Sequence, residues 1–276
     1  MKLRKALEKA QQMRAAADRP APDHAPRLPR VVARPLGVDW KPPVYVESRR
    51  AELDPKGLCD KRCVCIAPDA PELEQYKVLR TKLQHLCRSR GWKAVMITSP
   101  GESEGKTLTV VNLALTFAKA FNQTVMLVDC DLRRQDVHRR LGIDSRMGLV
   151  DYLVDEKPLS DFIVWPGVEQ MTVISGGRSV LNSAELLGSE RMKALVADLK
   201  TRYEDRTIIF DAPPVLVGAD ALALAAHVDC FAMVVAEGRT GMREVKKALA
   251  MLPADKFLGF IINRQKNPST NGYKYY

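Results

Sequence analysis

The residues that most invite chemistry are TSPGESEGKT, 98–107, which follow the apolar run AVMI directly. A turn from a buried strand into a helix leaves backbone N–H groups without intrahelical partners. It also places a partial positive charge at the helix start, so such a turn suits a phosphate. Gly101 and Gly105 let the backbone approach an anion closely, Lys106 can reach β- and γ-phosphates, and Thr107 carries a hydroxyl suited to Mg²⁺. The strict G-x-x-x-x-G-K-[ST] pattern is not met, because Pro100 stands where its first glycine belongs. A chance Gly-Lys-Thr at a turn is the competing reading. The candidate phosphate cradle is Gly101, Glu102, Ser103, Glu104, Gly105, Lys106, Thr107 and Leu108.

Two acidic motifs give that loop company. VMLVDCDLRR places Asp129 and Asp131 two residues apart at the end of an apolar strand, so both carboxylates are expected on one face. Like charges that close and buried are costly without a cation. Mg²⁺ would supply one, one carboxylate could accept a proton from an incoming hydroxyl, and Arg133 adds a fixed positive charge. RTIIFDAPPVL then ends another apolar run in Asp211, where a carboxylate can hold Mg²⁺ directly or through water. The order G-K-T, D-x-D, apolar run plus Asp, each at a strand end, implies an Mg-nucleotide site.

The elements that must position these groups are legible as alternating patterns. Apolar runs at 93–98, 124–129, 171–175, 206–211, 230–236 and 257–263 read as strands. Helical patterns fill 67–91, 106–120, 134–141, 183–202, 219–226 and 241–252. In the first of these helices Leu73, Tyr76, Leu79, Leu83 and Leu86 share a face. Near-continuous apolar strands separated by helices predict an α/β fold: a mainly parallel sheet covered by helices on both faces, with sites at the strands' C-terminal ends. Asp220 reads as a helix cap or a supporting residue, and His85, His138 and His227 as structural or exposed.

Composition bounds the rest. The 276 residues carry 43 Lys/Arg against 33 Asp/Glu, and residues 1–50 hold twelve of the former and five of the latter. That arm could attract nucleic acid, anionic lipid or an acidic surface, or be a solvated tail. Residues 1–19 have the spacing of a short amphipathic helix, and the repeated prolines of 20–37 read as an extended linker. No apolar run is long enough for a membrane span, and no leader is evident, which predicts a cytoplasmic protein. Cys59, Cys63 and Cys65 have no second ligand pair after them, so reduced thiols are the expectation over a metal site. Three domains follow: a basic, Pro-rich, flexible arm at 1–66, a nucleotide-binding domain at 67–267, and a flexible tail at 268–276.

SPGESEGKT, VMLVDCDLRR and IIFDAPPV together resemble the bacterial tyrosine kinases of exopolysaccharide and capsule systems, P-loop NTPases related to the MinD/ParA ATPases. The likeness covers about 67–276. It implies ATP and Mg²⁺ as cofactors, with Thr107, Asp129 and Asp211 on the metal and Lys106, Asp129, Asp131 and Arg133 in catalysis. Which of Asp129 and Asp131 would be the base stays open. Asn263, ending GFIIN, falls where related proteins contact adenine, though a plain strand-end polar residue is an equal reading. Glu74, Lys77 and Arg80 resemble an E-x2-R-x2-R helix that joins subunits into a ring, with Lys77 replacing the first arginine. The ending NGYKYY holds three of the chain's seven tyrosines; Tyr273, Tyr275 and Tyr276 resemble the family's autophosphorylation cluster. Residues 99–104 contain no basic residue, whereas MinD/ParA loops carry an extra lysine there; this favours a kinase over a positioning ATPase, the alternative. The resemblance further implies a separate membrane co-polymerase that recruits the chain to the inner face of the membrane. A cognate tyrosine phosphatase and sugar-nucleotide enzymes as substrates are implied too. Nucleic acid is not expected as a partner.

Overall fold

The computed structural model of the chain describes residues 48–120 and 123–265. Four strands carry the centre: β2 (Ala94–Thr98), β3 (Thr124–Asp129), β6 (Arg206–Asp211) and β7 (Cys230–Ala236). Nearly every residue of the four is buried, as expected of parallel strands covered on both faces. The outer strands are β1 (Arg49–Arg50), β4 (Ile163–Trp165), β5 (Met171–Ile174) and β8 (Phe257–Asn263). The eight stand in the order β1-β4-β5-β3-β6-β2-β7-β8. All neighbours are parallel except β4 and β5.

Period-two alternation divides the strands between two cores. Met96, Met126, Val128, Ile208, Phe210, Phe231 and Met233 pack on one face, beneath α5 (Leu149–Asp155), α6 (Ser183–Leu187), α7 (Glu190–Thr201), α8 (Asp220–Ala225) and α9 (Met242–Ala250). Val95, Ile97, Val125, Leu127, Ile209, Ala232 and Val234 pack on the other. There they meet α2 (Leu73–Arg88), α3 (Lys106–Ala118) and α4 (Val137–Leu141). Because both faces are apolar, a shift by one residue would exchange one apolar set for another of different volume, so packing shape sets the register.

The expected strands agree with the observed ones to within a residue at the ends. Two helical expectations change. The pattern over 183–202 is two helices, because Ser189 caps α7 by accepting from Met192 N at 3.1 Å, directly after the turn at Gly188. The helix expected from 134 starts at Val137, since the carboxylates of Asp131 and Asp129 take up Arg134 N and Val137 N in the turn before it. The short strands β1 and β4 and the helix α5 were not expected; two- and three-residue strands offer too little pattern.

Residues 48–66, expected within the flexible arm, are ordered and packed on the second core. β1 pairs with β4, and α1 (Pro55–Asp60) is capped by Asp54, whose side chain accepts from Lys56 N at 3.0 Å. Leu58, Cys63 and Cys65 are buried in the second core. Side chains of α3 and of the residue that ends it hold this segment: Asn112 Oδ1 accepts from Cys65 N at 2.9 Å, and Lys119 Nζ donates to the Cys65 and Ile66 carbonyls at 2.6 and 3.0 Å. The mixed composition of 48–66 hid this, because its partners lie some fifty residues away. The rest of the arm, the tail and its tyrosines lie outside the described residues. Among those described, no helix is long and apolar enough to cross a membrane.

Candidate active site

Three consecutive strands, β3, β6 and β2, deliver the predicted motifs to one end of the sheet. Asp129 and Asp211 are register partners on β3 and β6, and the loop after β2 stands beside them. That loop is tied to the segment leaving β6: the Thr98 hydroxyl donates to Pro213 O at 2.7 Å, and Val215 N to Ser99 O at 2.8 Å. Leu216 N donates to the Pro100 carbonyl at 3.1 Å. The residue that breaks the glycine pattern thus serves as an acceptor, a role for which proline's missing N–H is no loss.

The far side of the loop is fixed by side chains. Glu104 is buried; its Oε2 accepts from Ala236 N at 2.7 Å and from the Thr240 hydroxyl, fastening the loop to the end of β7. Its carbonyl accepts from Asn263 Nδ2 at 2.7 Å. Asn263, expected either at a base or as a plain strand end, therefore lies against the loop. Arg264 Nη2 donates to Ser103 O at 2.9 Å, and Arg134 pairs with Glu102 at 2.6 Å. Gly105 begins α3 at φ 87°, where a Cβ would collide with Asn263 Nδ2. No side chain caps α3, so its first-turn N–H groups are free to meet an anion.

Lys106 opens that helix almost wholly buried, with Nζ 3.2 Å from Asp211 Oδ1, 3.6 Å from Asp131 Oδ2 and 3.3 Å from Thr107 Oγ1. Burial alone would lower its ammonium, but Asp211, Asp131 and Asp129 outweigh burial and hold it above its ordinary value. One cation thus serves three carboxylates. Burial, with the Asp211 charge next, pushes the Asp129 carboxyl well above the usual range. Burial likewise raises Asp211 despite Lys106. Asp211 Oδ2 is buried with no hydrogen-bond partner.

The two acids of D-x-D do not do the same thing. Asp129 is fully buried and spends both oxygens on backbone, accepting from Asp131 N at 3.1 Å and Val137 N at 3.2 Å. Asp131 lines a cavity of about 440 Å³ together with Lys106 and Thr107. Arg133 stands at its rim, donating from Nε to the Ser183 hydroxyl at 2.8 Å and lying 3.7 Å from Asp220. Ser183 in turn hydrogen-bonds Asp220. Ser183 was not anticipated: it lies fifty positions from Arg133 and no local motif marks it. Thr240 was missed for the same reason.

The remaining predicted positions lie elsewhere. Glu74 and Lys77 pair with each other along α2 at 2.6 Å, and Arg80 donates to Thr116 O at 2.8 Å. This face is distant from the cavity, at the opposite end of α3. The cysteines are free thiols, five of them buried. Among the described residues no group of three or more His, Cys, Asp or Glu side chains forms a metal site by itself. The donor set still fits Mg²⁺, which takes one or two carboxylates and draws its other ligands from phosphates and water. The unpartnered Asp211 oxygen and the shortage of positive charge among the acids favour such an ion.

Residues 95–275 match the CobQ/CobB/MinD/ParA nucleotide binding domain. YwqD, a tyrosine-protein kinase of Bacillus subtilis (strain 168), is 34% identical over 211 residues, which are 76% of this chain and 88% of YwqD. The tyrosine-protein kinase wzc of Salmonella typhi is 29% identical over 206 residues, 74% of this chain; that match spans 28% of wzc's own length. The solved kinase domain of the Escherichia coli tyrosine kinase ETK superposes with a TM-score of 0.67 at 25% identity, covering 84% of this chain and 95% of that domain. A glycine loop, two acidic strand ends and an uncapped helix thus converge in a chain whose sequence follows kinases along about three quarters of its length. The chain belongs to the bacterial tyrosine-protein kinases and carries their MinD/ParA-type nucleotide-binding domain.

Proposed function

We propose that this chain transfers the γ-phosphoryl group of ATP to tyrosine hydroxyls, with Tyr273, Tyr275 and Tyr276 of a neighbouring copy among the acceptors. The observation that carries the reading is Lys106, buried at the uncapped start of α3 between Asp131 and Asp211 at the base of the cavity. In this reading the loop amides and Lys106 hold the phosphates. Thr107 and Asp211 hold Mg²⁺, which when bound offsets the charge of the transferring group. Asp131 orients the incoming hydroxyl and accepts its proton, a role supported by its place on the cavity wall. Asp129 shapes the loop that presents Asp131, through its bonds to Asp131 N and Val137 N. Arg133, steadied by Ser183 and Asp220, lies where it can offset charge on the transferring group. Phosphoryl transfer depends mainly on positioning and charge stabilisation, so this set suffices.

The family likeness extends the proposal to setting. Subunits assemble into a ring through Glu74, Lys77 and Arg80. A separate membrane co-polymerase recruits the chain to the inner membrane face, and a cognate phosphatase resets the tail. Each phosphate adds about −1.5 to −2 charges to the tail, which loosens the ring and couples phosphorylation to polysaccharide polymerisation and export.

The test is incubation with Mg-ATP followed by blotting for phosphotyrosine, in wild type, Lys106→Met and the triple Tyr→Phe tail. Phosphotyrosine in wild type, absent from Lys106→Met and strongly reduced in the tail variant, is the expected result. ATP hydrolysis with no phosphotyrosine would instead mark a positioning ATPase. Phosphotyrosine that survives Lys106→Met would overturn the mechanism.

A further inference from the structure

The nucleotide cavity has a neighbour. A second cavity of about 450 Å³ opens beside it, and Arg133 and Arg139 line both. His138, Ser145, Arg146 and Ser179 complete the part of its wall that matters here. Three guanidiniums and an imidazole there meet one carboxylate, Asp144. That carboxylate is already engaged by Arg146 at 2.8 Å and by Arg49 at 3.6 Å.

Most other arginines around the nucleotide cavity have an acid of their own: Arg134 has Glu102 and Arg140 has Asp136, each at 2.6 Å. Arg139 is exposed and forms no ion pair among the described residues. His138 Nδ1 is buried and has no hydrogen-bond partner. Burial, then the Arg139 charge, holds this imidazole below its ordinary value. An unpaired guanidinium flanked by two more on one cavity wall calls for an anion with several acceptor oxygens.

The spacing of the tail says which anion. In an extended chain residues i and i+2 project to the same side, about 7 Å apart. Tyr273 and Tyr275 stand in that relation, with Lys274 between them. The two cavities share Arg133 and Arg139, so two rings about 7 Å apart suit one in each. We propose that the second cavity is a phosphotyrosine subsite. It reads a phosphate already placed two residues from the acceptor, so that one transfer promotes the next on the same segment. This rests on the reading of the tail as substrate.

The test uses the full chain with its own Tyr273, Tyr275 and Tyr276 changed to Phe, and fluorescein-labelled peptides of residues 266–276 as probes. Anisotropy without nucleotide compares the peptide phosphorylated at Tyr275 with the unphosphorylated one. The phosphopeptide is expected to bind at least about tenfold tighter, with the gain lost in Arg139→Ala and in Arg146→Ala. With Mg-ATP, kcat/KM at Tyr273 rises for the phosphopeptide. Arg146→Ala removes that rise while leaving the rate on the unphosphorylated peptide unchanged. Equal affinities of the two peptides would overturn the proposal. So would displacement by inorganic phosphate as effective as by free phosphotyrosine, since a plain phosphate site would then suffice. A retained binding difference with no turnover on either peptide would keep the subsite and reject the tail as substrate.

Discussion

Gly105→Ala probes the loop anchor most directly, because two separable costs meet at one atom. Residue 105 sits at φ 87°, and a left-handed conformation costs a residue bearing a Cβ about 1–2 kcal/mol. The new methyl would also collide with Asn263 Nδ2. Asn263 can swing away, but only by releasing its bond to Glu104 O at 2.7 Å, worth about 1 kcal/mol. The single substitution is therefore expected to cost about 2–3 kcal/mol. In an Asn263→Ala background the collision and the bond are already gone, so the same change should cost about 1–2 kcal/mol, the backbone strain alone. The cycle thus carries a coupling of about 1 kcal/mol, in the sense that the double variant is more stable than additivity predicts. That exceeds the roughly 0.3–0.5 kcal/mol scatter of independent sites. Urea unfolding of the four proteins gives the energies, and titration with a fluorescent ATP analogue reports whether the loop still binds phosphate. Additive costs would refute the picture of Asn263 as the brace of this loop.

Other expectations are as direct. Removing residues 1–47 should leave thermal unfolding nearly unchanged, whereas removing 1–66 strips Leu58, Cys63 and Cys65 from the second core. The longer deletion should cost roughly 4 kcal/mol and lower Tm by about 10 °C, read by calorimetry. Asp131→Asn should cut tyrosine phosphorylation at least about a hundredfold with stability changed by under about 1 kcal/mol. Asp129→Asn should lower both, because that carboxylate holds the turn to Val137; equal unfolding midpoints for the two variants would contradict this division. Burial pushes the Cys63 thiol up to about 11. An acid raised on folding favours the native state below its unfolded value, so this contribution is present below pH 9 and is lost as pH rises toward 11. Denaturation measured across that window should show a decline that Cys63→Ala reduces.

Much of this protein is written locally. The four central strands are long and apolar on both faces, so their place in a buried parallel sheet is legible from composition alone. The phosphate loop, D-x-D and Asp211 are each marked by an abrupt change from apolar run to charged or glycine-rich turn. A strand's C-terminal end is where such a turn must go. What the chain could not show by itself depends on neighbours far apart in sequence. Residues 48–66 are mixed in composition and show no assignable element until Asn112 of α3 and Lys119 just after it reach their amides and carbonyls. Asp129 and Asp131 look equivalent by period, and only the fold spends both oxygens of Asp129 on backbone while leaving one oxygen of Asp131 facing Lys106 on the cavity wall. Pro100 looks like a flaw in a motif, yet the neighbouring segment needs only its carbonyl. Asn263 reads equally as an adenine contact or a plain strand-end residue, and only the packing of β7 and β8 beside the loop shows that it and Glu104 also brace that loop. Local pattern determines which groups arrive at the strand ends; the tertiary structure decides which remain free to meet a substrate, because every buried donor and acceptor must first be satisfied by whatever lies across from it.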